Sequence, residues 1–395
     1  MVDAHSSEKP KQLLIGMSIA MSLIFAVWYV LLNNFVVEQA KFTGEQIGML
    51  HSVREIPGFL AFSVVLVLMV IQEQRLAILS LIILCLGVGL TGIFPSEYGL
   101  YATTVLMSVG FHYFEATRSS LSLQWVEKSE TPAFLGKMYS YGHMTSLGVY
   151  ALVWLLLEFM VVEYKWIYLS MATLTLFLIL GLGAYFPRFK TDVVQHKHLF
   201  LRRRYWLFYL LTFMGGARRQ IFMVFASFLL VEKFGYAVKD IALLYMVNTV
   251  LSVYFAPKIG RLIGRIGERR ALGFEYIGLI GVFVGYALVD NALVAAGLFL
   301  LDHILFAMAI GIKTYFQKIA DPRDIAGTSS VSFSINHIAA VIIPALFGII
   351  WLFSPALVFY LGALMAAISW VLSRLIPHSP ERGQEVVPFL RRKEA

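Results

Sequence analysis

The sequence predicts an all-α membrane protein whose twelve transmembrane helices form two pseudo-symmetric six-helix bundles. Three observations predict it. Mean hydropathy is +0.76. Of 395 residues, 59% are apolar and 14% charged, against about 25% charged in soluble domains. Apolar runs long enough to cross a ~30 Å hydrocarbon core recur along the whole chain, without the alternating segments of ~10 residues that mark membrane barrels. A basic polar stretch, "RFKTDVVQHKHLFLRRRYW" (188–206), divides those runs into six and six.

The first run, Leu13 to Leu32, follows Lys9 and Lys11 and carries Trp28 and Tyr29 near its far end. It is longer than the apolar core of a cleaved signal and lacks a small-residue cleavage site, so it is read as a membrane helix. The second helix begins near residue 46 and holds Arg54 and Glu55, the third near 76 with Cys85, and the fourth near 99 with "GFHYFEATRSS" (110–120). The fifth and sixth begin near 138, with His143, and near 164. Beyond the basic stretch, helices are expected from about 206 with "GARRQIF" (216–222), 240, 271, 293 with Asp302, His303 and Lys313, 328 with "SINHIAA", and 355. Gly281 and Gly285 form a GxxxG on the ninth helix, which predicts close helix packing there.

Charge sets the orientation. With the N-terminus in the cytoplasm, the inner segments hold 23 Lys and Arg, the outer ones 4, and 5 lie inside helices. That bias puts both termini in the cytoplasm of a multi-pass protein of the inner cell membrane. The expected organisation is an N-tail (1–11), a first bundle (12–187), a central loop (188–205), a second bundle (206–377) and a C-tail (378–395). The net charge of +8 is assigned to these loops and not to nucleic acid. A single cysteine forms no internal disulfide and no zinc cluster, and no metal or cofactor is expected.

The halves overlay. At an offset of 194, Glu38 meets Glu232, Ile47 meets Ile241 and Arg75 meets Arg269; at 191, His112 meets His303 and Gly136 meets Gly327. A duplicated unit of this kind is a common transporter architecture, with the substrate site near the midplane. After the eighth helix, "GRLIGRIGERR" (260–270) resembles the loop signature of the major facilitator superfamily, G-x-L-x-D-R-x-G-R-R, through Gly260, Leu262, Arg265, Gly267 and Arg269. Gly264 stands where the family has aspartate, Glu268 where it has a basic residue, and the first-half counterpart (66–79) has lost nearly all of the pattern. The resemblance implies this fold over about 12–377, two halves that rock about a central site, and a gating role for Gly260, Arg265, Gly267 and Arg269. The family often has an arginine in its fourth helix linked to proton coupling, and Arg118 is similar in position.

Five cations lie within apolar spans: Arg54, Arg118, Arg218, Arg219 and Lys313. At roughly 2.5–3.5 kcal/mol each at a lipid-facing helix centre, they cannot all face lipid. Glu55, Glu115 and Asp302 are the embedded acids; Glu275 is read as too near a helix end to join them. The two surplus cations tilt the substrate toward an anion. Residues three or four apart share a helix face, so Glu115 can pair with Arg118, with His112 on the same stripe. Arg54 and Glu55 point about 100° apart, so each is expected to need its own partner. A carboxylate beside arginine and histidine can exchange protons as its surroundings change. Of Arg218 and Arg219, one is expected at substrate and the other on an acid of a neighbouring helix. Lys313 either serves the site or snorkels. Asp302, His303, His143, Asn336 and His337 are candidates for binding or relay, with interhelical hydrogen bonds as the alternative reading.

These residues predict a secondary active transporter, not an enzyme: no Ser/His/Asp, HExxH or paired-aspartate arrangement and no Walker loop is present in the sequence. Its expected partners are a small organic, anionic solute, protons and membrane lipid, and it is expected to act as a monomer. Multidrug-type efflux of amphipathic compounds and a non-transporting sensor or assembly factor on the same scaffold are the alternatives.

Overall fold

A computed structural model describes residues 8–126, 131–189, 202–321 and 324–387. The ends of both expected tails, most of the central loop (190–201), Lys128 and Arg323 lie outside the described residues. Helices are α1 (Lys9–Glu38), α2 (44–68), α3 (Glu73–Thr91), α4 (Glu97–Trp125), α5 (Thr131–Phe159) and α6 (Tyr164–Tyr185). They continue as α7 (Arg203–Glu232), α8 (Val238–Ile266), α9 (Glu268–Leu288), α10 (Ala292–Ile319), α11 (Ile325–Phe353) and α12 (Pro355–Ser373). No strand occurs among the described residues beyond an isolated bridge between Glu381 and Gln384.

Ten of these helices are long and apolar enough to cross a membrane. The exceptions are α2, whose α-helix ends at Phe59 shortly after Pro57 and passes through a 3₁₀ turn, Leu60–Ser63, and α4, whose polar side chains dilute its hydropathy. Proline removes a backbone donor and crowds the preceding turn, so Pro57 weakens the last α-helical turn before the 3₁₀ segment. Two other helices deviate locally. α7 contains a π segment, Ile221–Ala226, just after its arginines, and α10 narrows to 3₁₀ at Ala307–Ala309. Large apolar side chains remain exposed along the helices, among them Leu293, Phe353, Val253 and Phe177, as a lipid-facing surface requires.

The helix boundaries carry the repeat more clearly than the identities do. Lys9–Glu38 and Arg203–Glu232 stand 194 positions apart at both ends, as do Thr131–Phe159 and Ile325–Phe353. Ser96 caps α4 by accepting from Gly99 N, and Asn291 caps α10 by accepting from Leu293 N and Val294 N, each satisfying helix-end donors.

Contacts group the chain into two units. The first takes the described parts of Met1–Phe42, Val53–Gln195 and Tyr236–Met246. Within it α3 and α4 pack closely at two glycines. A Cβ on Gly110 would lie 2.8 Å from Leu84 Cα, and one on Gly87 would lie 2.6 Å from Met107 Cα. The start of α8 also packs here. Asn34 donates to the Tyr236 carbonyl at 2.7 Å, Tyr245 stacks on Tyr29 at 5.1 Å, and Lys239 pairs with Glu158 at 2.6 Å.

The second unit takes Thr43–Ser52 and the described parts of His196–Gly235 and Val247–Ala395. The first turns of α2 meet α11 almost backbone to backbone. A Cβ on Gly348 would fall 2.6 Å from the Gly44 carbonyl oxygen, and one on Gly48 would fall 3.0 Å from Gly348 Cα. Of the two glycines expected to mark close packing on α9, only one does so. Gly281 faces open space among the described residues, whereas a Cβ on Gly285 would lie 3.0 Å from the Leu298 side chain of α10. After α12 the chain is tied down where Val387 N donates to Leu375 O at 2.8 Å and Arg382 pairs with Asp321.

Candidate functional site

Two polar clusters stand inside the helical bundles, one in each unit. In the first unit, α2 and α4 bring together Arg54, Glu55, Ser108 and His112, all at most 7% exposed. Arg54 and Glu55 were expected to need separate partners, but they pair with each other. Arg54 Nε donates to Glu55 Oε1 at 3.0 Å and Nη2 donates to the same oxygen at 2.5 Å. Their Cα–Cβ directions diverge as the helical wheel requires, and the long arginine stem folds back across the gap. The guanidinium also lies 5.7 Å from the Trp28 ring centroid on α1. His112 Nε2 stands 4.0 Å from Glu55 Oε2. Ser108 donates to the Arg54 carbonyl and lies 3.0 Å from His112 Nδ1. His112 therefore joins Glu55, not the Glu115 stripe on which the spacing placed it.

Glu115 and Arg118 form their own pair one turn further on, with Arg118 Nη2 donating to Glu115 Oε2 at 2.7 Å. The two side chains are 31% and 23% exposed, against 9% and 8% for Glu55 and Arg54. Glu115 Oε1 and Arg118 Nε make no hydrogen bond. Phe114 lies 5.9 Å below the guanidinium. This is a half-open charged pair with one acceptor and one donor left over, backed by a closed pair.

The second cluster spans four helices. Arg218 on α7 is 1% exposed, and Glu275 and Tyr276 on α9, Asp302 on α10 and Ser369 on α12 are all at most 1% exposed. Arg218 Nη2 is 3.7 Å from Glu275 Oε1, its Nη1 donates to Ser369 Oγ, and its Cζ sits 4.4 Å from the Tyr276 ring centroid. Asp302 lies within electrostatic reach of both Arg218 and Glu275. Sequence reasoning missed Glu275 by judging it a helix-end residue. It lies two turns into α9, at a height where α7 and α12 both cover it, and a hydropathy profile cannot see that cover. Arg219, the other arginine, is half-buried.

The remaining candidates separate. His303 Nδ1 is 2.9 Å from Asn248 Nδ2 and its ring meets Phe222 edge-on at 4.6 Å. Asn336 presses its side-chain oxygen against Gly216 of α7. His337 contacts the Phe333 carbonyl at 3.0 Å, and His143 packs on Tyr139 at 4.2 Å. Lys313 is exposed and pairs with no acid among the described residues.

In the loop after α8, Gly267 alone separates two helices, at φ +80°, a conformation that favours glycine. Arg269 donates to the Ile376 carbonyl at 3.3 Å, and Gly260 and Gly264 line a cavity of about 260 Å³ together with Thr314 and Lys318. Arg265 is exposed. Glu268, in the place of a basic residue, is 2% exposed and pairs with Lys318 at 2.7 Å.

A family model described as Major Facilitator Superfamily matches residues 13–344. No curated protein matches the chain. Among solved structures, a point mutant of the nucleoside transporter NupG is similar with a TM-score of 0.78 at 14% identity, over 92% of this chain and 99% of that one. A bacterial homolog of the human lysosomal transporter Spinster, inward-facing and unoccupied, aligns with a TM-score of 0.73 at 14% identity, over 97% and 100%. A bacterial homologue of the iron transporter ferroportin, inward-facing, aligns with a TM-score of 0.71 at 14% identity, over 92% and 98%. At such identities these likenesses establish the fold.

Proposed function

Because the chain belongs to the major facilitator superfamily, and is thus a multi-pass membrane transporter and not an enzyme, we propose that it is a proton-coupled carrier of a small organic anion. It works by alternating access and as a monomer. Residues 12–187 and 206–377 are the two moving bundles, in the inner cell membrane with both termini cytoplasmic.

The observation that carries this reading is the Glu115–Arg118 pair, a guanidinium and a carboxylate inside a membrane helix, each with one unsatisfied polar atom and each partly open. An anionic group supplies the acceptor that Arg118 Nε lacks and competes with Glu115 for the guanidinium. Glu115, once displaced, is the more readily protonated. Coupling of solute to proton then follows from one arginine serving two acceptors. The closed Arg54–Glu55–His112 group holds α2 against α4 and keeps a second carboxylate near the path.

The test is uptake into liposomes holding the purified protein, with and without an imposed proton gradient. Small organic anions are expected to accumulate with the gradient, and Glu115→Gln is expected to retain exchange of solute for solute while losing accumulation. Accumulation of lipophilic cations alone, indifferent to organic anions, would overturn the reading in favour of multidrug-type efflux.

A further inference from the structure

The sealed cluster of the second unit has a charge imbalance that its structural role does not explain. Glu275 and Asp302 are both within reach of a single guanidinium, Arg218. Ser369, a neutral hydroxyl, is the contribution of α12, and the phenols of Tyr276 and Tyr286 face the same group from α9. His303, next to Asp302, turns instead to Asn248 and Phe222. If both carboxyls were ionised, one net negative charge would sit at 0–1% exposure. An uncompensated charge at that depth is strongly destabilising. Both Glu275 oxygens, Asp302 Oδ2, the Tyr276 and Tyr286 hydroxyls and Arg218 Nε and Nη2 have no hydrogen-bond partner among the described residues. Buried polar atoms are nearly always satisfied, so the cluster is short of positive charge and leaves donors and acceptors alike unpaired.

A proton on one of the two carboxyls answers the charge deficit. It cancels the surplus charge and creates a donor. A metal cation answers the charge but sits poorly beside a guanidinium. We infer that Glu275 and Asp302 form a proton-binding site inside the second bundle, held against Arg218 and distinct from Glu115. This rests on the carrier reading only for its use in transport; the site itself stands on the cluster's own geometry. As α7, α9, α10 and α12 shift against one another, the distance from Arg218 to the two acids decides which of them keeps the proton.

The experiment is infrared difference spectroscopy on the full chain in liposomes, stepped from mildly acidic to alkaline pH with no solute present. The wild type is expected to give a protonated-carboxyl carbonyl band that disappears as pH rises. Asp302→Asn and Glu275→Gln are each expected to lose it, since the remaining carboxylate then pairs alone with Arg218. Glu55→Gln and Glu115→Gln are expected to keep it. Asp302→Glu restores the second acid and is expected to keep the band, which separates the site from a mere folding defect. A band that survives both amide variants, or no such band in the wild type, overturns the proposal. Neither result touches the solute test above, so the two readings fail separately.

Discussion

The two bundles bury arginine in opposite ways. On α2 and α4, two arginines meet two glutamates, the charges balance, and one of the two pairs is partly open. Across α7, α9, α10 and α12, one arginine meets two acids, and the whole group is at most 1% exposed. On the proposed reading the first arrangement exchanges partners, because Arg118 and Glu115 are partly exposed and each keeps one unsatisfied atom. The second, sealed and at most 1% exposed, is the one proposed to exchange a proton. Similar residue types buried in the two units therefore differ in charge balance and in access, and composition does not distinguish them.

Substitutions can break that contrast, and the largest effect is expected in the sealed group. Arg218→Leu removes the counter-charge of two buried acids, and losing one partner of a buried pair costs about 3–5 kcal/mol. The purified variant should melt well below the wild type or fail to fold. A small change in melting temperature would mean that the cluster is open to water.

Glu55→Gln comes next. The amide oxygen can still accept from Arg54, so the loss is that of a charge-assisted bond, about 1.5–3 kcal/mol, read in the same melting experiment. The smallest effect on stability belongs to the half-open pair. Arg118→Ala should cost at most about 1 kcal/mol, as for partly exposed ion pairs, while abolishing solute uptake in liposomes. If Arg118→Ala proved as destabilising as Arg218→Leu, the two clusters would be alike and the contrast would fall.

Much of the fold was legible in the sequence, because the signal is length and apolarity. Helix starts expected near 164 and 355 fall on Tyr164 and Pro355, and the one expected near 206 lies three residues inside α7, which starts at Arg203. The fifth helix was expected from 138 but begins at Thr131; its polar first turns dilute a hydropathy window without breaking the helix. The offset of 194 in sparse identities reappears in the ends of α1 and α7.

The candidate site was legible only where its partners lie on one helix. Glu115 and Arg118, three apart, could be paired from spacing. Arg54 with Glu55 could not, because the pairing depends on how far an arginine stem folds back. The company of Glu275 depends on which helices cover α9, and the close contact of Gly48 with Gly348 joins residues 300 positions apart. A GxxxG marks a helix able to pack closely, but whether a neighbour comes is decided elsewhere, as Gly281 in open space demonstrates.

The central claim is that Arg118 offers its unsatisfied donor to an anionic solute. It is tested most directly by thermal shift of the purified full chain against a series of small organic anions, in wild type and Arg118→Ala side by side. A ligand that binds the folded state stabilises it in proportion to the logarithm of concentration above Kd. Losing a charge-assisted contact of about 1.5–3 kcal/mol lowers affinity roughly tenfold or more. The account predicts that at least one anion raises the wild-type melting temperature with concentration and that Arg118→Ala loses the shift. Stabilisation of equal size in both proteins, or stabilisation by lipophilic cations alone, would contradict it.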